Sequence, residues 1–463
     1  MKKPGLIPTV LSVAACKAAR AALRRTGRGG TAVPGIVAMK VSRNILTAVS
    51  EGMQIIVVTG TNGKTTTCNM IEHAVSSSGR DCLRDKSGAN LLHGIASDLI
   101  CSADWRGRPT HPYAVLECDE AALKQVVQYI TPAAIVVTNL FSDQVDRYGG
   151  VQNTLKEIRT GVERSPQSTL VLNAEDPLTA SLALHVPNKV IRYGLAQSIG
   201  VQGNVDLADA GVCPECGAPY EYDYHIYAHL GGFRCTKCGW RHETPDISVT
   251  RIDRMTAAGS TVQMQVREAG GTENTLEARI ALPAVYNIYN AAAAVAAATA
   301  IGIPAQTAAD SLSSVRSAFG RMETFDLAGQ RVQMILVKNP AGCNQAFSYV
   351  TGMEDDYTAV LCLNDRTGDG HDISWIGTTD YEKLCADPHL RKIYAGGDRA
   401  EDLCRRLEQA GAGDRLERFT DYTALVEKLE TEGRPIFLLP NYTAMMELRD
   451  ALGKKTGSKE FWE

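Results

Sequence analysis

A glycine-rich turn between a strand pattern and a helix pattern constrains this 463-residue chain more than any other feature. Residues 54–59 read as a buried strand, and a helical pattern follows the turn Gly60-Thr61-Asn62-Gly63-Lys64-Thr65-Thr66. Glycines let backbone N–H groups converge on phosphate oxygens, and a helix N-terminus adds positive potential. Lys64 would contact the β- and γ-phosphates, and the Thr65 hydroxyl would bind Mg²⁺. The turn therefore predicts a site for a nucleoside triphosphate, in a form shorter than the full Walker loop because Val58 replaces its first glycine.

Apolar β runs alternate with helix-length segments on both sides of residue 320. This alternation predicts two α/β domains with doubly wound parallel sheets. We expect a basic helical segment at 1–50, a central ATP-binding domain at 51–318 and a C-terminal Rossmann-like α/β domain at 319–463. Residues 211–242 break the pattern and predict an insertion in the central domain.

Composition excludes several classes of protein. The balance of 48 Lys and Arg against 52 Asp and Glu argues against a generic nucleic-acid binder. The 13 cysteines are too dispersed for a secreted disulfide scaffold, and we expect a cytoplasmic protein. No uninterrupted apolar run reaches the roughly 18 residues of a membrane span.

The start of the chain, Lys2 to Arg25, resembles a weak signal peptide, but its repeated basic residues favour an amphipathic helix on the protein or at the inner face of a membrane.

Two cysteine pairs lie within the insertion. Cys213 and Cys216 are separated from Cys235 and Cys238 by 18 residues, a spacing typical of a four-thiolate zinc ribbon. Four sulfur ligands leave no open coordination position, so the expected zinc is structural. Basic and acidic residues of the insertion nearly balance, so we expect no contact with nucleic acid.

The phosphate loop and the segments after it resemble the Mur ligases, which activate a carboxylate with ATP before an amine attacks. The resemblance implies that Glu117 binds Mg²⁺ and acts with Lys64 in catalysis, that Asn287 and Asn290 lie on the adenine side, and that Arg321 contacts the nucleotide. It also covers Asn139, Asp143, Asp146-Arg147-Tyr148-Gly149 and the turn Leu172-Asn173-Ala174-Glu175-Asp176-Pro177. Mur peptide ligases have His where Gln144 stands, so the use of a second Mg²⁺ stays open.

Three further strings are similar to the MurT family, the ligase subunits of lipid II amidating enzymes: Arg28-Gly29-Gly30-Thr31-x2-Pro34-Gly35, Lys338-Asn339-Pro340-Ala341-Gly342-x-Asn344 and Leu363-Asn364-Asp365-x3-Asp369-Gly370-His371-Asp372-x-Ser374-Trp375-Ile376. This resemblance implies amidation of the D-glutamate α-carboxylate of lipid II with ammonia from a GatD-type glutaminase partner. It also implies that Asp372, with Asp369 as second choice, completes the partner's catalytic site. The sequence departs from the family at Gly377-Thr378.

Other interpretations remain at this stage. Cys343 follows a glycine but no glycine closes a nucleophile elbow, so we predict that ammonia comes from another chain. A ligase that adds an amino acid, of the cyanophycin or polyglutamate type, fits the same phosphate loop. A regulatory ATP-binding module that docks through its ribbon is the third alternative.

Overall fold

The computed structural model describes residues 2–25, 32–84, 88–142, 150–199, 209–268, 271–316 and 320–457. The chain forms two compact units. The first comprises Met1–Phe141, Val151–Ala281 and Tyr286–Val315, and the second comprises Ser142–Gly150, Leu282–Val285 and Arg316–Glu463. The N-terminal segment thus belongs to the same unit as the phosphate loop.

The first unit is built on a nine-stranded sheet in the order β11-β10-β9-β6-β5-β4-β1-β3-β2. Strands β1 to β6 are parallel neighbours, β9 joins β6 in parallel, and β9, β10 and β11 form an antiparallel meander. Strands β7 and β8 form a separate hairpin in the insertion. The strand bounds are β1 Gln54–Thr59, β2 Cys82–Arg84, β3 Tyr113–Glu117, β4 Ala134–Val137, β5 Thr169–Asn173, β6 Val190–Leu195, β7 Tyr220–Tyr227, β8 Leu230–Cys235, β9 Ile247–Thr256, β10 Gly259–Arg267 and β11 Glu273–Ile280.

Helices cover this sheet and bury continuous apolar runs, as parallel strands require. Their bounds are α1 Leu6–Arg25, α2 Val33–Val41, α3 Ile45–Val49, α4 Lys64–Ser77, α5 Leu92–Ser102, α6 Leu123–Val126, α7 Val151–Glu163, α8 Pro177–Ala180, α9 Val285–Ala300 and α10 Ala305–Ser311. Strand β1 lies between β3 and β4, so the connections that lead from β1 to the later strands run to both of its sides. Ligands of doubly wound sheets bind at such a switch point, outside the carboxyl ends of the strands.

The second unit has a six-stranded sheet in the order β12-β13-β17-β14-β15-β16. Only the β12–β13 pair is antiparallel among its paired strands. The bounds are β12 Arg321–Leu327, β13 Gln330–Ile335, α11 Pro340–Val350, β14 Tyr357–Cys362, α12 Tyr381–Ala386, β15 Leu390–Gly396, α13 Ala400–Gln409, β16 Leu416–Arg418, α14 Tyr422–Leu429, β17 Ile436–Pro440 and α15 Tyr442–Thr456. The predicted fold, two α/β sheets with an inserted four-cysteine hairpin, is confirmed.

Helix α1 is long and apolar enough, by length and composition, to cross a membrane, and no other helix in the described ranges is. It meets this criterion although Lys17 and Arg20 interrupt its apolar run. Core helices and signal sequences meet the same criterion, so length and composition do not decide what α1 does. Its packing is more informative, because Thr9, Ser12, Val13 and Cys16 are buried in the first unit.

Candidate functional site

The turn after β1 needs glycine at two positions. Gly60 and Gly63 have φ angles of +120° and +86°. A Cβ atom at Gly60 would lie 2.3 Å from Thr138 Oγ1, and one at Gly63 would lie 2.2 Å from Asn290 Oδ1. Both the backbone conformation and the close neighbours therefore exclude larger residues, which fixes the path of the loop.

The segment after β4 holds the loop from the side. Asn62 N–H donates to Asn139 Oδ1 at 3.0 Å, and Asn139 Nδ2 donates back to the Asn62 carbonyl at 3.2 Å. Thr61 Oγ1 donates to the Phe141 carbonyl at 3.1 Å and accepts from Phe141 N–H at 3.0 Å. Thr61 N–H also donates to the Asn139 carbonyl at 2.8 Å, so Asn139 and Phe141 brace the loop through five hydrogen bonds.

Lys64 begins α4 and is nearly enclosed. Its Nζ lies 2.8 Å from Glu120 Oε1, with side-chain exposures of 11% and 9% for the two residues. Burial alone would lower the pKa of Lys64, but the charges of Glu120 and then Glu117 outweigh it and raise the pKa. The lysine is therefore an ammonium ion at neutral pH. Sequence analysis assigned no role to Glu120, and only its position three residues after Glu117 pointed to it.

Thr65 and Glu117 meet at the carboxyl end of β3. The Thr65 hydroxyl donates to Glu117 Oε2, and the Glu117 side chain is buried. Asp119, also buried, adds a further negative charge near Lys64. A hydroxyl and carboxylates are hard oxygen donors of the kind Mg²⁺ prefers, so these residues fit the metal that the sequence predicts.

The other predicted nucleotide residues lie in different places. Thr66 is buried in the first turn of α4. Asn287 lies behind the loop, where its Oδ1 accepts a hydrogen bond from Asn290 Nδ2 at 3.1 Å, and Asn290 Oδ1 accepts one from Thr67 Oγ1 at 3.3 Å. Adenine contact by Asn287 stays a prediction, as does nucleotide contact by Arg321, which begins β12 of the second unit.

The expectations for Arg28-Gly29-Gly30-Thr31, Asp143, Gln144 and Asp146-Arg147-Tyr148-Gly149 fall outside the described residues.

The four predicted zinc ligands come together. Sγ atoms of Cys213, Cys216, Cys235 and Cys238 all lie within 4.8 Å of one another. Backbone N–H groups of Cys238 and Lys237 lower the pKa of Cys235, which favours the thiolate that a metal needs. Four converging sulfurs fit a tetrahedral zinc and leave no position for a substrate.

The hairpin that carries the cysteines also contacts the brace of the phosphate loop. His229, at the turn between β7 and β8, is fully buried, and its ring centroid lies 4.7 Å from that of Phe141. His229 Nε2 is 3.3 Å from Asp176 Oδ1, while Asp176 Oδ2 accepts from Leu140 N–H at 2.8 Å. The tip of the insertion therefore packs directly on the segment that holds Thr61.

In the second unit, Asp369 and Asp372 lie in the loop after β14 and line one small cleft with Trp375 and Tyr442. Asp369 accepts hydrogen bonds from the N–H and hydroxyl of Thr443, in the first turn of α15. Asp372 is exposed, and hydrogen bonds from Ser374 lower its pKa. Asp369 thus fixes the start of a helix, whereas Asp372 presents an anionic carboxylate to the outside.

Comparisons with known proteins agree with both units. Residues 58–212 match the family model described as Mur ligase middle domain, and residues 336–445 match MurT ligase C-terminal. The lipid II isoglutaminyl synthase (glutamine-hydrolyzing) subunit MurT of Streptococcus pneumoniae is 32% identical over 97% of this chain and 98% of its own length. The chain belongs to the MurT family. The Staphylococcus aureus COL subunit of the same name is 30% identical over 95% of this chain and 96% of its own length.

The fold of this MurT family member also occurs in solved Mur ligases. MurF from Thermotoga maritima, solved in complex with ADP, superimposes with a TM-score of 0.62 at 12% identity, over 92% of this chain and 84% of that chain. At this identity the likeness establishes the fold alone. The match to the MurT ligase C-terminal model spans both Asp369 and Asp372, so the loop that carries them is part of the family's C-terminal domain.

Proposed function

We propose that this chain is the ligase subunit of a glutamine-hydrolysing enzyme that amidates the D-glutamate α-carboxylate of lipid II to D-isoglutamine. The observation that carries the proposal is the match, at 30–32% identity and nearly full length, to two subunits named for that activity. The braced phosphate loop and the Thr65–Glu117 pair support the ATP-dependent half of the reaction. The ADP held by the Thermotoga maritima MurF supports the choice of nucleotide.

The first step is carboxylate activation. A carboxylate resists attack because a nucleophile would add charge to an anion, and transfer of the γ-phosphoryl group makes an acyl phosphate and ADP. Lys64 would stabilise the charge that develops on the phosphoryl oxygens, and the N-terminus of α4 would bind the phosphates through backbone N–H groups. Thr65 and Glu117 would hold Mg²⁺, which shields the phosphate charge when bound.

The second step is attack by ammonia. Neutral ammonia displaces inorganic phosphate from the acyl phosphate, forms the amide and loses one proton. Free ammonia is mostly protonated near neutral pH, and ammonium has no lone pair with which to attack. A glutaminase that releases ammonia beside this chain would avoid that loss, so we infer a GatD-type partner. Asp372 would orient the partner's catalytic residues, because its carboxylate is exposed while that of Asp369 is bound to Thr443.

We also infer that the four cysteines hold a structural Zn²⁺, since their sulfurs converge and the hairpin around them is short. The enzyme would work in the cytoplasm at the inner face of the membrane, where a lipid-linked precursor is made. The near-neutral ribbon supports no contact with nucleic acid.

A reconstitution assay tests the proposal. The chain is incubated with Mg-ATP, lipid II and either ammonium chloride or single amino acids, and phosphate release and product mass are measured. We expect phosphate release with ammonium and a product in which one hydroxyl is replaced by an amino group. Stimulation by an amino acid but not by ammonium would instead identify a ligase of the amino-acid-adding type.

The variant Asp372→Asn separates the two half-reactions. With the glutaminase partner and glutamine we expect amidation to fall by about ten-thousandfold, as loss of an orienting carboxylate does in catalytic triads. With ammonium chloride the rate should stay at the parent level. Asp365→Asn in the same loop serves as the control, and equal losses with glutamine and ammonium would place Asp372 in the ligase site instead.

A further inference from the structure

The first 50 residues differ in charge from the rest of the chain. They contain nine Lys and Arg and no Asp or Glu, whereas the remaining residues contain 39 basic and 52 acidic side chains. A net positive segment on a net negative chain is the pattern expected of a surface that meets an anionic partner.

Helix α1 is held in one orientation, so its outer face is defined. Ser12 Oγ donates to the Ala38 carbonyl at 2.6 Å, Lys17 Nζ donates to the Ala103 carbonyl at 2.6 Å, and Arg20 lies 3.5 Å from Asp98. These contacts fix one side of α1 against α2 and α5. Three apolar side chains near the start of the same helix, Leu6, Ile7 and Leu11, are 65%, 74% and 56% exposed.

An exposed tryptophan lies next to α1. Trp105 is 62% exposed, and Lys17 Nζ lies 4.8 Å from its ring centroid. Gly107 packs so closely on Thr9 of α1 that an added Cβ would lie 2.2 Å from Thr9 Cγ2. The loop that carries Trp105 therefore lies against α1, and the indole is exposed.

Basic side chains are exposed on the same two segments of the chain as these apolar residues. The exposed ones are Lys2, Lys3, Arg24, Arg25, Arg106 and Arg108. Two acids are nearby: Glu51 pairs with Lys3, and Asp104 accepts the backbone N–H groups of Arg106 and Arg108 at 2.8 Å each. We define the N-terminal face as Leu6, Ile7, Leu11 and Trp105 together with these six basic residues.

We propose that the N-terminal face docks this chain on the surface of an anionic bilayer. Its apolar side chains would enter the headgroup boundary, Trp105 would lie at the interface, and the basic residues would neutralise lipid phosphates. Charge complementarity selects this occupant, because the face is strongly cationic. The inference rests on the proposed function, because a lipid-linked substrate would be the reason for the chain to dock on such a surface. Its test needs neither substrate nor ATP.

Sedimentation of the full-length chain with vesicles tests the proposal. Phosphatidylcholine vesicles are compared with vesicles in which part of the lipid is phosphatidylglycerol, at low and high salt. We expect binding to the anionic vesicles, loss of that binding in high salt, and a blue shift of tryptophan emission that disappears in Trp105→Phe. Binding that is equal on both vesicle types, or absent from the anionic ones, would overturn the proposal.

Three variants separate the contributions of the face. The triple variant Leu6→Ser, Ile7→Ser, Leu11→Ser should weaken binding at least tenfold, and each of Arg24→Gln and Arg106→Gln should weaken it about fivefold. Val212→Ser with Met255→Ser, at exposed apolar positions elsewhere, is the control and should bind like the parent. Because all these positions are exposed, the unfolding temperature should not change.

Two further results would contradict the proposal. If the full-length chain stayed in native membranes after high-salt and alkaline washing, α1 would be a membrane span rather than part of a docking face. If the chain bound vesicles alone but not in complex with its glutaminase, a protein would occupy the face instead. If amidation failed while vesicle binding persisted, the result would contradict the proposed function but not the docking surface.

Discussion

Replacement of Lys64 by alanine is expected to abolish ADP formation. The ammonium is the cation that the loop places at the start of α4, and the neighbouring carboxylates keep it charged. Without it the charge that develops on the transferred phosphoryl group would lose the stabilising ammonium of Lys64, and Glu120, Glu117 and Asp119 would repel that charge more strongly. Loss of such an electrostatic contact costs on the order of a thousandfold in turnover.

The measurement is ADP release with lipid II and ammonium, alongside calorimetry with Mg-ATP. Lys156→Ala on the exposed side of α7 is the matched control and should retain the parent rate. Lys64→Arg keeps the charge but not the shape, and should recover only a small part of the activity. Full turnover in Lys64→Ala would show that the phosphate loop takes no part in the reaction.

Loss of one cysteine ligand is expected to damage the nucleotide site as well as the insertion. Cys235→Ser should release zinc, because a structural site loses most of its affinity with one thiolate. The β7–β8 hairpin would then loosen, and His229 would no longer press on Phe141, whose backbone holds Thr61. We expect a lower unfolding temperature and about tenfold weaker binding of Mg-ADP, as measured by calorimetry.

The control for this result is Cys404→Ser, a partly exposed cysteine of α13 in the second unit. A second variant, His229→Ala, leaves the four ligands in place and tests the contact alone. It should keep its zinc yet share the weakened nucleotide binding. If Cys235→Ser lost zinc but bound Mg-ADP as the parent does, the hairpin would be structurally independent of the loop.

The strands at the centre of both sheets were predictable because buried parallel strands are continuous apolar runs between helices. Residues 54–59 and 113–117 were predicted as strands, and the structure has Gln54–Thr59 and Tyr113–Glu117. Short edge strands were not predicted. Cys82–Arg84 and Leu416–Arg418 have three residues each, too few for a pattern to form.

The cysteine spacing predicted a cluster, since ligand spacing is a local property. Contacts between residues that are distant in the sequence have no such local pattern. Nothing in the sequence indicated that His229 would pack on Phe141, or that Glu120 would hold Lys64. Similarly, the sequence could not rank Asp369 and Asp372 by exposure, because that depends on where the start of α15 lies.

The Lys64–Glu120 ion pair has a consequence for which form of the nucleotide can enter. One ammonium faces three buried carboxylates, Glu117, Asp119 and Glu120, so the protein groups around the loop are negative in sum. A bare polyphosphate would be repelled by this field, while its magnesium complex brings the compensating charge with it. The loop thereby selects the metal-loaded nucleotide before any chemistry begins, and chelated, metal-free ATP should compete poorly for it.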